Sequence, residues 1–293
     1  MTRHVLAARV KRALPQDLRN QLRPMTDAAD RMRVFLRLGL GRRGRLPDFL
    51  ILGAQKAGTT SLYDLLVQHP RIETARTKEI AFFDRHYGLG INWYKCNFPA
   101  NGQITGEATP DYLVDPEAFA RIQRHLPQRT RFIVLLRNPV DRLVSHYFHA
   151  RRLGYEPLGL AEALECEAER IGPQGHRLVG HPLEGRTQFS AFSYYTRGLY
   201  AEQLQRWFDG FGRENVFVET SDRFFADPVG VTRQVFGFLR LDDYVPPVVE
   251  AQNIGTYGSR IDPEIYRTLS DRYREPNRQL DMLLGRKLGW SES

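Results

Sequence analysis

The sequence has few cysteines and no long apolar run, and both absences narrow the class of protein. Its 293 residues include only two cysteines, which can form one bridge at most, so a secreted domain built on several disulfides is excluded. No stretch approaches the run of about 18 apolar residues that indicates a transmembrane helix. No signal-peptide core follows the basic start. We therefore expect a cytoplasmic protein with one large domain.

Residue clusters that would bind a metal ion or a nucleic acid are also missing. His146 and His149 have no further ligands at suitable spacing, so we predict no metal site. The excess positive charge is confined to residues 1–45, which contain 12 Arg and Lys and three Asp, a net charge of +9. The other residues contain 30 basic and 31 acidic side chains. Because aromatic residues do not alternate with the basic ones, we expect no nucleic-acid binding.

Residues 1–45 form a basic, partly helical leader before a nearly neutral domain at residues 46–293. Apolar residues recur in the leader at near-helical spacing; they are Val5, Leu6, Val10, Leu14, Met32, Phe35, Leu36 and Leu40. Two interpretations are open. The leader is either a solvated arm that Pro15 and Pro24 interrupt, or an amphipathic helix that contacts an anionic membrane.

From Pro47 onward, strand and helix patterns alternate along the chain. Apolar segments predict β-strands at 49–52, 103–107, 132–136 and 215–219. Helical spacing predicts α-helices at 60–68, 116–126, 139–150, 199–208, 228–239 and 263–284. The segment FIVLL at 132–136 is apolar throughout, which is typical of a strand covered on both faces of a parallel sheet. The alternation predicts an α/β fold of three layers, with a central parallel sheet flanked by helices.

The stretch FLILGAQKAGTTSL, residues 49–62, has the features of a phosphate-binding loop between a strand and a helix. Gly53 permits a sharp turn at the end of the strand, and Gly58 lets the backbone approach a ligand closely. Lys56 adds a compact positive charge. The helix begins with hydroxyl residues, and its free N–H groups and dipole favour an anion. The stretch therefore predicts a site for a phosphate group.

The position of the lysine separates this loop from that of the nucleotide triphosphatases. In the usual pattern GxxxxGK[ST] the lysine follows the second glycine, whereas Lys56 precedes Gly58. The strand at 132–136 also runs into Arg137, not into an aspartate that would bind magnesium. With Ser145 on the following helix, Arg137 can bind a second phosphate through a planar fork and a hydroxyl. The sequence thus predicts a nucleotide with phosphates at two separate positions.

Several motifs, in order, make the sequence resemble the sulfotransferases that use 3′-phosphoadenylyl sulfate (PAPS). Within that family it is most similar to the heparan sulfate N- and 3-O-sulfotransferases, from Pro47 to Trp290. The motifs are GAQKAGTTSL, KEIAFFD, HYGLGINWYKCNFP, GEATPDYL, LLRNPVDRLVSHY, RGLYAEQLQRWF and YREPNRQLDMLLGRKLGW. The resemblance implies a P-loop-like fold. It also implies transfer of a sulfuryl group from PAPS to a hydroxyl or amine of a saccharide, glycolipid or other small acceptor.

The resemblance also assigns residues to the sulfuryl donor. The 5′ phosphosulfate is implied to bind a set of loop residues: Lys56, Ala57, Gly58, Thr59 and Thr60. The 3′ phosphate is implied to bind Arg137 and Ser145. Gly255 corresponds to the glycine of a Lys-Gly-Arg loop that closes over the nucleotide in the family; the loop here reads Asn253-Ile254-Gly255-Thr256, and only the glycine matches. No metal is required, because the leaving group is a phosphate stabilised in a cationic pocket.

Four residues are candidates for catalysis or for contact with the acceptor. Glu79 lies at the position of the catalytic glutamate of the related enzymes, so we predict that it takes the acceptor's proton. Lys56 is the second catalytic candidate, because its charge can stabilise the leaving phosphate. Lys78 and Glu107 are predicted to contact the acceptor, or in the case of Glu107 to support the base. Ala108 departs from the family, which has a lysine there.

Two other classes of function remain open. A phosphotransferase of the same broad fold, similar to a kinase, is disfavoured by the position of Lys56 and by the missing magnesium ligand. A nucleotide-binding module without catalysis is disfavoured by the presence of a complete set of site residues: Lys56, Glu79, Arg137 and Ser145. Fold alone does not separate these classes.

Overall fold

A computed structural model describes residues 16–41, 44–100, 102–172, 175, 178–179, 186–247 and 261–292. Its centre is a sheet of five strands: β1 (Phe49–Gly53), β2 (Ile72–Thr74), β3 (Ile104–Ala108), β4 (Arg131–Leu136) and β5 (Val216–Thr220). The strands are ordered β2-β3-β1-β4-β5, and all neighbouring pairs are parallel. Every residue of β1 is buried. The predicted α/β fold with a central parallel sheet is confirmed.

Helices flank this sheet and connect its strands. In chain order the described α-helices are α1 (Gln16–Gly39), α2 (Thr59–Leu66), α3 (Ile91–Lys95), α4 (Pro116–His125), α5 (Pro139–Arg152), α6 (Leu160–Glu165), α7 (Glu167–Ile171), α8 (Gln188–Phe192), α9 (Tyr200–Phe211), α10 (Ser221–Ala226), α11 (Pro228–Phe238) and α12 (Pro263–Leu284). Each helix predicted after Pro47 is present, and its ends differ from the prediction by at most three residues.

The start of α5 shows how the sequence positions a helix beside the loop that follows β1. Asn138 is the N-cap, and its side-chain oxygen accepts hydrogen bonds from the N–H groups of Val140 at 2.9 Å and Asp141 at 3.4 Å. Pro139 occupies the first helical position, where a missing N–H has no cost. These features fix the start of α5 at the carboxyl end of β4, directly after Arg137.

Helix α1 lies in the predicted leader and packs against the domain. It continues through Pro24, so the expected interruption there is wrong. A proline removes one helical hydrogen bond, but it does not end a helix that tertiary packing supports. Val34 is 2% exposed and belongs to the main hydrophobic core, and the indole N–H of Trp93 donates to the carbonyl of Arg31 at 3.4 Å. The described part of the leader is therefore not a freely solvated arm.

Within the described ranges, no helix combines the length and the apolar composition that crossing a membrane requires.

Candidate active site at the carboxyl end of the sheet

The predicted phosphate loop leaves the sheet from its central strand, β1, and leads into α2. Its backbone is left-handed at Lys56, with φ of 72°, and at Gly58, with φ of 96°. A side chain at Gly58 would also be blocked, because a Cβ there would lie 2.8 Å from Cζ of Phe225. Since α2 begins directly after this turn, its N-terminus lies at the carboxyl end of β1. That position suits an anion.

Positive charge is concentrated around this loop. The guanidinium of Arg137, at the end of β4, donates to the carbonyl of Lys56 at 3.2 Å. Burial, followed by the positive charges of Arg152 and Arg137, lowers the pKa of Lys56 to about 8. Mutual repulsion of these cations is relieved by a bound anion, so the donor set fits a phosphate group. Ala57 is buried, and its carbonyl accepts from the hydroxyl of Ser221 at 2.7 Å, which fixes the loop.

One face of α5 continues the cationic site beyond Arg137. Ser145, His149 and Arg152 follow one another at spacings of four and three residues, so they share a face of the helix. The side chain of Ser145 is buried, and the ring of His149 is 2.9 Å from the guanidinium of Arg152. Arg152 was not predicted from the sequence. Its spacing of two helical turns from Ser145 was the signal that could have identified it.

The segment before β3 brings the predicted acceptor residues to the phosphate loop. The ammonium group of Lys78 donates to the hydroxyl of Thr60 at 2.7 Å and to the carboxylate of Glu79 at 3.2 Å. The side chain of Glu79 is 33% exposed, so a substrate can reach it. Lys78 therefore links the start of α2 to the predicted base. The catalytic roles of Glu79 and Lys56 remain predictions.

Glu107, on β3, is fully buried and cannot contact an acceptor. Its carboxylate accepts hydrogen bonds at 2.7–3.1 Å from the N–H of Ile80 and from the hydroxyls of Thr109, Tyr94 and Tyr112. Burial raises the pKa of Glu107 to about 7, against the lowering effect of these hydrogen bonds. The prediction that Glu107 contacts the acceptor is therefore wrong, because its carboxylate is buried. The bond to Ile80 supports instead the other role left open, that of fixing the segment that carries Glu79.

A small open pocket, with a cavity volume of about 40 Å³, lies beside Glu79. Arg31 of α1 lines it together with Glu79, Arg85, His86 and Trp93. The position of Arg31 could not be predicted from the sequence, because no local pattern indicates which distant segment a leader will contact.

Two further predictions concern Gly255 and metal binding. Gly255 lies outside the described residues, so its contact with the nucleotide stays a prediction. In the described part of the chain, no group of three or more His, Cys, Asp and Glu side chains is arranged to bind a metal ion.

Comparison with known proteins identifies similar sequences and structures. The family model described as "Sulfotransferase domain" matches residues 46–251. The human heparan sulfate glucosamine 3-O-sulfotransferase 6 is 34% identical over 277 residues, covering 86% of this chain and 75% of that protein. A crystal structure of a sulfotransferase from Alicyclobacillus acidocaldarius is similar with a TM-score of 0.67 and 30% identity, covering 85% of this chain and 99% of that one. The crystal structure of mouse sulfotransferase SULT7A1 complexed with PAP has a TM-score of 0.51 and 15% identity. The similarity covers 83% of this chain and 88% of that one, and it is a similarity of fold alone.

Proposed function

Because the chain belongs to the sulfotransferase domain family, we propose that it transfers a sulfuryl group from PAPS to a hydroxyl group of a saccharide. Family membership confirms two sequence predictions, sulfotransferase activity and PAPS as the co-substrate. It leaves the phosphotransferase and the non-catalytic module without support. The proposal of a saccharide hydroxyl is supported by the similarity to an enzyme named for 3-O-sulfation of a glucosamine.

The observation that carries the proposed reaction is the link from Thr60 through Lys78 to Glu79. It joins the donor loop to an accessible carboxylate at the edge of an open pocket. A transfer reaction requires donor and acceptor to be aligned across a short gap. The donor loop and the carboxylate are adjacent here, each within hydrogen-bond distance of Lys78.

In the proposed reaction, the acceptor oxygen forms a bond to sulfur while the bond from sulfur to the 5′ phosphate oxygen breaks, in line. Glu79 accepts the proton of the acceptor hydroxyl. Lys56 and the N-terminus of α2 stabilise the charge that develops on the leaving phosphate. Arg137 and Ser145 would orient the nucleotide through its 3′ phosphate, as the sequence predicts.

Transfer from radiolabelled PAPS tests the acceptor class directly. The acceptors are a tetrasaccharide of alternating glucuronate and N-acetylglucosamine and, separately, para-nitrophenol. We expect label in the tetrasaccharide, because the chain is similar to an enzyme named for 3-O-sulfation of a glucosamine. The surface variant Glu162→Gln, which alters an exposed carboxylate on α6, should retain this transfer. Label in the phenol alone would contradict the proposed saccharide acceptor.

We also propose that the protein works in the cytoplasm, in peripheral contact with an anionic membrane. The support comes from α1 and the turn after it, where Met25, Met32, Leu36 and Leu40 are 60–76% exposed. Their spacing of seven and four residues places them along one side of the helix. The net charge of +9 in residues 1–45 adds attraction to anionic lipid. Both cysteines are free thiols, which fits a reducing compartment.

Vesicle flotation tests the membrane contact. We expect full-length protein to float with vesicles that contain phosphatidylserine and not with vesicles of phosphatidylcholine alone. The double variant Met32→Glu, Leu36→Glu should lose flotation, because each buried apolar side chain contributes roughly 1.5–3 kcal/mol. Met282→Glu is the control, since Met282 is also highly exposed, at 72%, but lies on α12. Equal flotation of the double variant and the control would refute the role of α1.

A further inference from the structure

The residues on either side of Glu79 are held against β3. Before it in the chain, the carbonyl of Lys78 accepts a hydrogen bond from the N–H of Ala108 at 3.0 Å. After it, the N–H of Ile80 donates to the carboxylate of Glu107 at 3.1 Å. Since Glu107 and Ala108 are neighbours on β3, the backbone of Glu79 is bound on both sides to one short stretch of the central sheet.

Two buried hydroxyls extend the hold of Glu107 to the next three N–H groups. The hydroxyl of Thr109 accepts from the N–H of Ala81 at 3.2 Å and donates to Glu107 at 2.7 Å. The hydroxyl of Tyr112 accepts from the N–H groups of residues 82–83 at 2.8 and 3.3 Å and donates to Glu107 at 3.1 Å. A hydroxyl has one proton and two lone pairs, so each group can serve the carboxylate and the backbone together.

The ionised form of Glu107 sets the direction of these hydrogen bonds. A carboxylate only accepts, so it draws the hydroxyl protons of Thr109 and Tyr112 toward itself and leaves their lone pairs to the backbone. Bonds in such a chain strengthen one another. The titratable groups that face Glu107 are Tyr63, Tyr94 and Tyr112, and burial raises the pKa of each above its usual value. These three groups therefore stay uncharged near neutral pH.

The backbone at Ala81 indicates that the segment depends on this support. Its φ is 52°, in the left-handed region that residues with a side chain seldom adopt. Such a conformation persists only where the surrounding structure fixes it. Ala81 lies two residues after Glu79, and its N–H is one of the four that the network binds. The network thus holds the chain after Glu79 in a conformation that it would not favour alone.

We propose that Tyr112 and Thr109 are positioning residues, which hold the segment after Glu79 so that its carboxylate meets the acceptor in the geometry that transfer requires. This inference rests on the proposed function, because it takes Glu79 to be the base. The two side chains are 0% and 1% exposed, so they act through the backbone and touch no substrate. A displacement of about 1 Å at a reacting group can slow a reaction by about 10²-fold.

Two tyrosine variants separate positioning from stability. Tyr112→Phe removes the acceptor of two N–H groups together with one donor to Glu107. Tyr94→Phe is the matched control, because Tyr94 is also 0% exposed and donates to the same carboxylate oxygen at 2.8 Å. The N–H groups of residues 80–83 bond to other groups. Both variants keep the aromatic ring, and thermal unfolding measures the stability that each one loses.

Single-turnover transfer from radiolabelled PAPS, followed from about pH 6 to about pH 9, measures the effect on the reaction. The acceptor is whichever of the tetrasaccharide and para-nitrophenol wild type labels. We expect Tyr112→Phe to lower the highest rate by about 10²-fold and to leave affinity for adenosine 3′,5′-bisphosphate unchanged. Tyr94→Phe should reach the wild-type rate at a higher pH, because burial then raises the pKa of Glu107 with one hydrogen bond fewer to oppose it.

Hydrogen–deuterium exchange of the full-length protein tests the network without any reaction. A peptide that covers residues 80–83 should exchange about 2- to 10-fold faster in Tyr112→Phe than in wild type, the effect of losing a hydrogen bond. Tyr94→Phe should exchange there as wild type does. Thr109→Val is a second variant, which keeps the shape of the side chain and frees one N–H, so it should show both effects in smaller measure.

The inference requires both effects in Tyr112→Phe, and the absence of either one refutes it. Rate losses in Tyr112→Phe and Tyr94→Phe that follow their losses of thermal stability would also refute it, because they would indicate a general disturbance. If wild type labels neither acceptor, the proposed function fails. A wild type that transfers label while Tyr112→Phe keeps its rate refutes the positioning role alone.

Discussion

Replacement of Glu79 by glutamine is expected to slow sulfuryl transfer by about 10²- to 10⁴-fold, the range that general bases contribute. Glutamine keeps the size and the hydrogen bonding of the side chain but cannot accept the proton. Affinity for adenosine 3′,5′-bisphosphate should be unchanged, because Glu79 is not among the residues predicted to bind the nucleotide. Single-turnover kinetics measures the chemical step, and calorimetry measures the affinity.

The control for this variant is Glu162→Gln, which makes the same chemical change at an exposed position on α6 and should leave the rate unchanged. A single-turnover rate for Glu79→Gln close to that of wild type would place the base elsewhere. Glu107 would not be the substitute, because its carboxylate is fully buried and bound by four donors.

Replacement of Lys56 by alanine is expected to reduce both nucleotide affinity and rate. Loss of a hydrogen bond to a charged group weakens binding by about 10- to 150-fold. The rate constant of the bound complex should fall by a further 10²- to 10³-fold, roughly the effect of removing one donor from a developing oxyanion. The two variants should therefore differ in which quantity changes. Glu79→Gln lowers the rate alone, whereas Lys56→Ala lowers both the nucleotide affinity and the rate. An unchanged affinity for adenosine 3′,5′-bisphosphate would contradict the proposed contact.

The pH dependence of binding gives a second measurement for the same lysine. Burial, Arg152 and Arg137 lower the pKa of Lys56 to about 8, and Glu79 acts in the opposite direction. A lysine loses its charge as the pH rises through its pKa, so nucleotide affinity should decline above about pH 8. Lys56→Arg keeps its charge throughout this range, and its affinity should not decline there. Identical pH profiles for wild type and Lys56→Arg would show that another group titrates.

Segments with strong local patterns could be predicted from the sequence. The apolar segment at 132–136 and the Asn138–Pro139 pair after it fixed β4 and the start of α5, because burial and capping act on neighbouring residues. The glycines at 53 and 58 indicated the loop for the same reason. In contrast, β2 at Ile72–Thr74 was missed, since three residues at the edge of a sheet show no period.

Features that depend on distant contacts could not be predicted. Nothing in GEATPDYL indicates that Glu107 is buried and that its hydrogen bonds fix Ile80, 27 residues earlier. The burial of Glu107 and its bond to Ile80 both arise because the segment that contains Ile80 packs against β3. The approach of Arg31 to the pocket is a similar case, because it follows from the packing of Val34 into a core built by later residues. Residue types in the sequence indicated which side chains could act in the reaction. Only the fold shows which of those side chains a substrate can reach.

The position of β1 between β3 and β4 has a consequence for the evolution of acceptor choice. On the β4 side are Arg137 and α5, and on the β3 side is the segment of Glu79, joined to that strand where the N–H of Ala108 donates to the carbonyl of Lys78 at 3.0 Å. The two sides meet at the loop after β1. Sequence change on the β3 side and in α1 can therefore give a descendant enzyme a new acceptor while it inherits the same sulfuryl donor.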